Sequence, residues 1–140
     1  SSITLHQSPI TTYILIMNAN ELKRRTSDFA HMCVKFALSL PKTQLGNHIR
    51  GQLIRSATSV AANYRAACNA QSKLSFISKM SIVVEEADES EFWLEFALEE
   101  GIVNKVDAEK LLYEAHQIAS IFITARRTSQ QKLKSQSKKP

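Results

Sequence analysis

From Leu22 onward, apolar residues return at steps of three and four: Leu22, Phe29, Met32, Cys33, Phe36, Ala37 and Leu40. That period places them on one face of a helix. Asn18 or Asn20 stands where an N-cap is needed, and Pro41 ends the run. After Thr43 the pattern resumes with Leu45, Ile49, Leu53, Ile54, Ala57, Val60, Ala61, Tyr64 and Ala67. Gly46 and Gly51 fall early in this segment, and each weakens a helix by roughly 1 kcal/mol relative to Ala. A third run follows Ser72, with Leu74, Ile77, Met80, Val84, Ala87, Leu94 and Leu98 on one side and Gly101 as its C′ residue. A fourth opens at Asn104 or Asp107 and carries Val106, Leu111, Leu112, Ala115, Ile118, Ala119, Phe122 and Ile123, to about Gln130. Four long helices with short connections predict an all-α fold, an antiparallel up-down four-helix bundle.

The bundle is expected over residues 17–128, as a single domain. Residues 129–140 are polar and basic, and read as a disordered tail. Residues 10–17 are apolar, but too short to span a bilayer and without the flanks of a signal peptide. Met17 therefore reads as the natural initiator, and residues 1–16 as an upstream, non-native extension. The alternative is a strand-like arm that adds to a partner.

The third helix carries two apolar stripes. Opposite its core face stand Ile82, Phe92, Trp93 and Phe96. A helix in a lone bundle needs one apolar face. Three large aromatics on the outside are expected to be buried in a homo-oligomer interface; cover by the tail, the arm or a loop is the other reading. Glu91 falls near the middle of an apolar face, and a buried carboxylate needs donors. Arg55, Ser59 and Asn63 step by four along the second helix. A polar network joining Arg55 to Glu91 or Asp88, steadied by Ser59 and Asn63, is the expectation; all these groups pointing into water is the alternative. The second helix is otherwise built of small residues (Ser56, Ala57, Ala61, Ala67), which lets two helix axes approach closely. Thr58, Ala62 and Ala66 on its remaining side could serve a second contact in an assembly.

The formal charge of +5 is unevenly spread. Residues 85–100 hold eight carboxylates and no base, while the segments on either side are basic. Such blocks favour attraction between segments or chains, and the basic excess permits nucleic-acid binding. Cys33 and Cys68 lack metal-ligand spacing and read as buried thiols in a reducing cytoplasm. His6, His31, His48 and His116 form no metal motif, and no Glu-x-x-His, P-loop, G-x-G-x-x-G or G-x-S-x-G occurs. Neither a metal, a cofactor nor an enzymatic activity is expected.

Residues 52–103 carry Arg55-Ser56 with Ser59 and Asn63, then Ser72, Phe76, Glu85, Glu86, Asp88, Glu89, Trp93, Leu94 and Gly101. This pattern resembles the four-helix-bundle proteins encoded by intervening sequences within bacterial 23S rRNA genes. The resemblance weakens toward residues 36 and 128. Many relatives have Ala-Glu-Gly after the asparagine, where this chain has Tyr64-Arg65-Ala66. The resemblance implies a homopentameric ring. It also implies kinship with the accessory protein of diversity-generating retroelements, a basic pentamer that partners a reverse transcriptase and nucleic acid.

The expected function is thus a non-enzymatic cytoplasmic homo-oligomer that binds RNA or DNA, as accessory to a nucleic-acid enzyme. Its expected contacts are Arg126, Arg127, Lys132 and Lys134, with Lys23, Arg24 and Arg25 as a second patch. Lys138 and Lys139 read as solvated charges. The alternative is a protein–protein scaffold that uses the acidic face of the third helix. A bundle enzyme would need a polar pocket around Glu91 and His116.

Overall fold

The computed structural model describes residues 18–138. The expectations for residues 1–16, Met17 and Lys139 lie outside the described residues. Four helices form the fold: α1 (Ala19–Leu38), α2 (Gln44–Cys68), α3 (Lys73–Glu99) and α4 (Lys105–Ser137), with no strand among the described residues. Each opens on a capping side chain. Asn18, Thr43, Ser72 and Asn104 each accept a hydrogen bond from the backbone N–H three residues on. α3 closes on Gly101 at φ 68°. The Gly101 N–H donates to the Leu98 carbonyl and the Ile102 N–H to the Ala97 carbonyl, a Schellman arrangement that needs the left-handed residue.

α2 packs between α1 and α3, and α4 packs on α3 with a smaller contact to α1. Phe29, Ile49, Leu53, Val60, Met80, Leu94 and Phe122 fill the centre, all but fully buried. The Tyr64 and Phe122 rings meet at 4.9 Å across the core.

The buried line of α3 is Met80, Val83, Ala87, Ser90, Leu94 and Ala97. It is rotated by roughly 50° from the expected stripe, at 100° per residue. Val84 and Leu98, expected in the core, are half-buried at its flank. The reason is packing against a thin α2. Ser90 and Ala97 are small enough to sit at the closest approach, where Val84 and Leu98 would hold the axes apart. Ser56 and Ser90 meet there, both fully buried, with hydroxyl oxygens 3.0 Å apart. Each hydroxyl also lies within reach of a carbonyl of its own helix, Leu53 at 3.3 Å and Glu86 at 2.9 Å, so neither is orphaned.

The α1–α2 corner is held by Arg50. Its guanidinium donates to the carbonyls of Ala37 at 3.1 Å, Leu40 at 2.6 Å and Pro41 at 3.3 Å, and to the Asn47 side chain. It thereby binds carbonyls at the end of α1 and in the turn that follows, and places a cation at the negative end of that helix dipole.

The disordered tail expected from residue 129 is not what the structure holds: α4 continues to Ser137. No Gly or Pro interrupts residues 105–137. Leu133 is half-buried and lines a groove with Leu74 and Ile77 of α3, so this extension still runs beside α3.

Candidate functional site

The α2–α3 seam carries the polar groups. Arg55 reaches α3, but to other partners than expected. Its guanidinium pairs with Glu86 at 2.9 Å and with Glu89. Asp88 is exposed, and Glu91 lies 3.7 Å from His116 of α4, on the opposite flank of the helix. The rotation of α3 causes this: it turns Glu86 and Glu89 toward α2 and Glu91 toward α4. Ser59 and Asn63 do not join the network. Asn63 donates to the Ser59 carbonyl within its own helix at 2.9 Å. Arg55 holds the Glu89 carboxyl below the usual range through their hydrogen bond, with burial opposing and the Trp93 indole adding to the lowering. The pair is well hydrated, so it sets register more than stability.

Glu89 links this seam to the aromatic patch. The Trp93 indole N–H donates to Glu89 at 3.3 Å. Around Trp93 stand His48 at 5.3 Å, Phe92 at 4.9 Å and Phe96 at 6.3 Å between ring centres. Trp93, Phe96 and Ile82 are half-buried, whereas Phe92 is 51% exposed. The four residues expected to form one patch are therefore unequal, and only Phe92 stands clear of the surface. His48, the second-helix member of the patch, gave no sequence signal, because nothing in its spacing marks a ring neighbour 45 residues away.

Glu91 is the titratable group that the fold perturbs at the α3–α4 flank. Burial raises its pKa, His116 opposes, and repulsion from Asp88 and Glu95 adds to the rise. A carboxyl whose folded pKa exceeds its unfolded value binds protons more tightly in the native state. Stability therefore falls as pH rises from the ordinary glutamate pKa of about 4.3 through the folded value. Glu91→Gln removes that loss. We expect the variant to be at least as stable as the parent at neutral pH, with the advantage vanishing in acid. Urea unfolding across pH checks this, and a variant less stable at neutral pH would show that the ionised Glu91–His116 pair outweighs burial.

The basic residues are separated by the fold. Arg25 turns to Glu114 of α4, its Nε donating at 2.6 Å. Lys23 instead lines a groove between α1 and α2 together with His31 and Arg65. Arg24, Arg127, Lys132 and Lys134 are exposed and Arg126 is half-buried. The patch expected from three consecutive residues is thus split, and Arg65 and His31 join one part of it. Burial pushes the Cys33 thiol up to about 12, which makes it a poor nucleophile, and Cys68 is a second free thiol. Among the described residues no three His, Cys, Asp or Glu side chains stand together as a metal site. No described helix is long and apolar enough to cross a membrane.

The 23S rRNA-intervening sequence protein family model matches residues 18–124. No curated protein matches the chain. Among solved structures, the chain is similar to a protein of unknown function from the S23 ribosomal protein family of Bacteroides thetaiotaomicron. The two are 31% identical and superpose with a TM-score of 0.73, over 79% of this chain and 99% of that one. The seam motif from Arg55 to Gly101 falls inside the matched span, and the chain belongs to the 23S rRNA-intervening sequence protein family.

Proposed function

We propose that this chain is a non-enzymatic, homo-oligomeric bundle that binds RNA or DNA in the cytoplasm, as accessory to a nucleic-acid enzyme such as a reverse transcriptase. The observation that carries the reading is the gathering of cations from separate helices. Arg24 of α1 and Arg127, Lys132 and Lys134 of α4 are exposed, and Lys134 lines a groove with Leu74 and Ile77 of α3. Pairings that run in opposite senses support an antiparallel up-down bundle: His48 meets Trp93 but Ser56 meets Ser90, and Glu91 faces His116 while Ile77 shares a groove with Leu133. In that arrangement the start of α1, the end of α2, the start of α3 and the end of α4 share one end of the molecule. Arg24, Lys73, Arg126, Arg127, Lys132 and Lys134 collect there, while the acidic block of α3 lies toward the other end. A homopentameric ring, which the family resemblance implies, would repeat this basic end about a symmetry axis and make binding avid.

The test is light scattering with and without short single-stranded RNA and DNA, in low and moderate salt. An oligomer that gains mass with nucleic acid and sheds it in salt is the expected result. Replacing Arg126, Arg127, Lys132 and Lys134 by Gln should flatten the salt dependence by about 0.7 in log–log slope for each lost contact to a single strand. An oligomer indifferent to nucleic acid would overturn the binding reading and favour a protein–protein scaffold.

A further inference from the structure

Two surfaces of this molecule are complementary to each other and cannot meet within one protomer. The first is the outer ridge of α3. Phe92 projects from it, 51% exposed, with Glu85, Asp88, Glu95 and Glu99 at positions i−7, i−4, i+3 and i+7, all exposed. These four share its side of the helix. None of the four has an ion-pair partner among the described residues. Their charges are felt locally, since Asp88 and Glu95 both raise the neighbouring Glu91 by repulsion.

The second surface is the α1–α2 groove, of about 550 Å³. Its floor is Ala30, Val34, Ala61 and Ala62, small enough to leave a trough between the helices. Lys23, His31 and Arg65 stand in its walls, and no carboxylate lines it. None of these three has an ion-pair partner among the described residues. An apolar trough walled by bases takes an acidic helix with an aromatic knob, the helix-in-groove mode of recognition. This chain carries such a helix on the far side of its own bundle.

We infer that the Phe92 ridge of α3 docks into the Lys23–Arg65 groove between α1 and α2 of a second copy. The inference rests on the self-assembly proposed above and names the faces that perform it. The contact joins unlike surfaces, so a pair of copies still has one free groove on one member and one free ridge on the other. Such a contact repeats from copy to copy and closes into a ring when its rotation divides a full turn. Attraction between an acidic ridge and a basic groove sets the register and excludes ridge-on-ridge pairing.

The test uses two variants of the full chain, both altered at exposed positions. The ridge variant is Phe92→Lys with Asp88→Lys. The groove variant is Ala62→Glu with Arg65→Glu. Circular dichroism and thermal melting verify their folding, and the milder Phe92→Ser and Arg65→Gln replace either one that fails. Mass is read by light scattering. The unaltered chain is expected to assemble, while each variant alone falls to a single protomer or dissociates at least tenfold more readily. Mixed in equal amounts, the variants are expected to form a pair of two protomers and stop, because only one competent ridge and groove remain. Assembly that survives the groove variant, or variants that fail to pair on mixing, overturns the inference while leaving self-assembly in place. An unaltered chain that stays a single protomer overturns the self-assembly reading and this inference with it. Retained assembly together with loss of nucleic-acid binding in the groove variant would assign the groove to nucleic acid instead.

Discussion

Phe122→Ala is expected to destabilise the bundle by about 3–5 kcal/mol, the range for removing a buried phenyl ring from a core that closes incompletely behind it. Phe122 is fully buried on α4 and its ring packs on Tyr64 of α2 at 4.9 Å. Its neighbours on the same face, Ile118 and Ile121, are themselves buried, so little side chain is free to move into the space. Domains of this kind have about 5–15 kcal/mol to lose. The melting temperature should therefore fall by roughly 10–20 °C. Thermal and urea unfolding followed by circular dichroism measure it. A loss under about 1 kcal/mol would mean that the two rings do not meet as described. The comparison is Phe92→Ala, where the side chain stands half in water. It should leave the melting of the protomer nearly unchanged.

Gly46→Ala is expected to destabilise, against the usual direction for a helical glycine. Ala normally gains about 1 kcal/mol over Gly inside a helix. At Gly46 an added Cβ would stand 1.9 Å from the Pro41 carbonyl oxygen and 2.9 Å from its carbon. Both are backbone atoms of the α1–α2 corner, and that corner is tied down by Arg50 through the carbonyls of Leu40 and Pro41. The first turn of α2 or the Pro41 turn must shift, and the Thr43 cap hydrogen bond to the Gly46 N–H at 3.0 Å is strained with it. The net loss should reach about 2–3 kcal/mol, in the upper part of the overpacking range. Gly51, five residues on, has nothing within 4 Å of an added Cβ. Gly51→Ala should stabilise by about 0.5–1 kcal/mol. Two glycines in one helix thus give opposite signs, and chemical unfolding of both variants is the measurement. Equal gains would show that α2 does not approach Pro41 as closely as described.

Local and long-range interactions leave different traces in the sequence. The four N-caps and the glycine stop of α3 are written locally, because a cap acts within three residues of itself; Asn18, Thr43, Ser72, Asn104 and Gly101 all stand where periodicity and turn chemistry place them. Arg55 was identifiable as a residue that reaches α3, but its partners were not. Weighing Val84 and Leu98 above Ser90 and Ala97 turns α3 the wrong way by about half a residue step. That error is enough to exchange Glu86 and Glu89 for Glu91 and Asp88. Large side chains dominate a hydrophobic pattern, yet the smallest residues mark the closest approach of two helices. Arg50 and Ser90 gave no signal at all, since their partners are three carbonyls and a hydroxyl supplied by other segments.

What the chain determines by itself is the set of helices, their starts and stops, and the uneven placing of charge along them. Those properties depend on residues within one or two turns of each other, where backbone hydrogen bonding and side-chain period act directly. Only the tertiary structure decides how far each helix is rotated about its own axis, and so which charges face a partner and which face water. It sends Arg25 to Glu114 and Lys23 to the groove, although the two are adjacent but one in sequence. It also extends α4 through residues that composition alone assigns to a tail and brings Leu133 to the groove lined by Leu74 and Ile77 of another helix. The physical reason is the same in each case: successive helical residues point roughly 100° apart, so a shift of half a step in packing reassigns every side chain at the rim of the core.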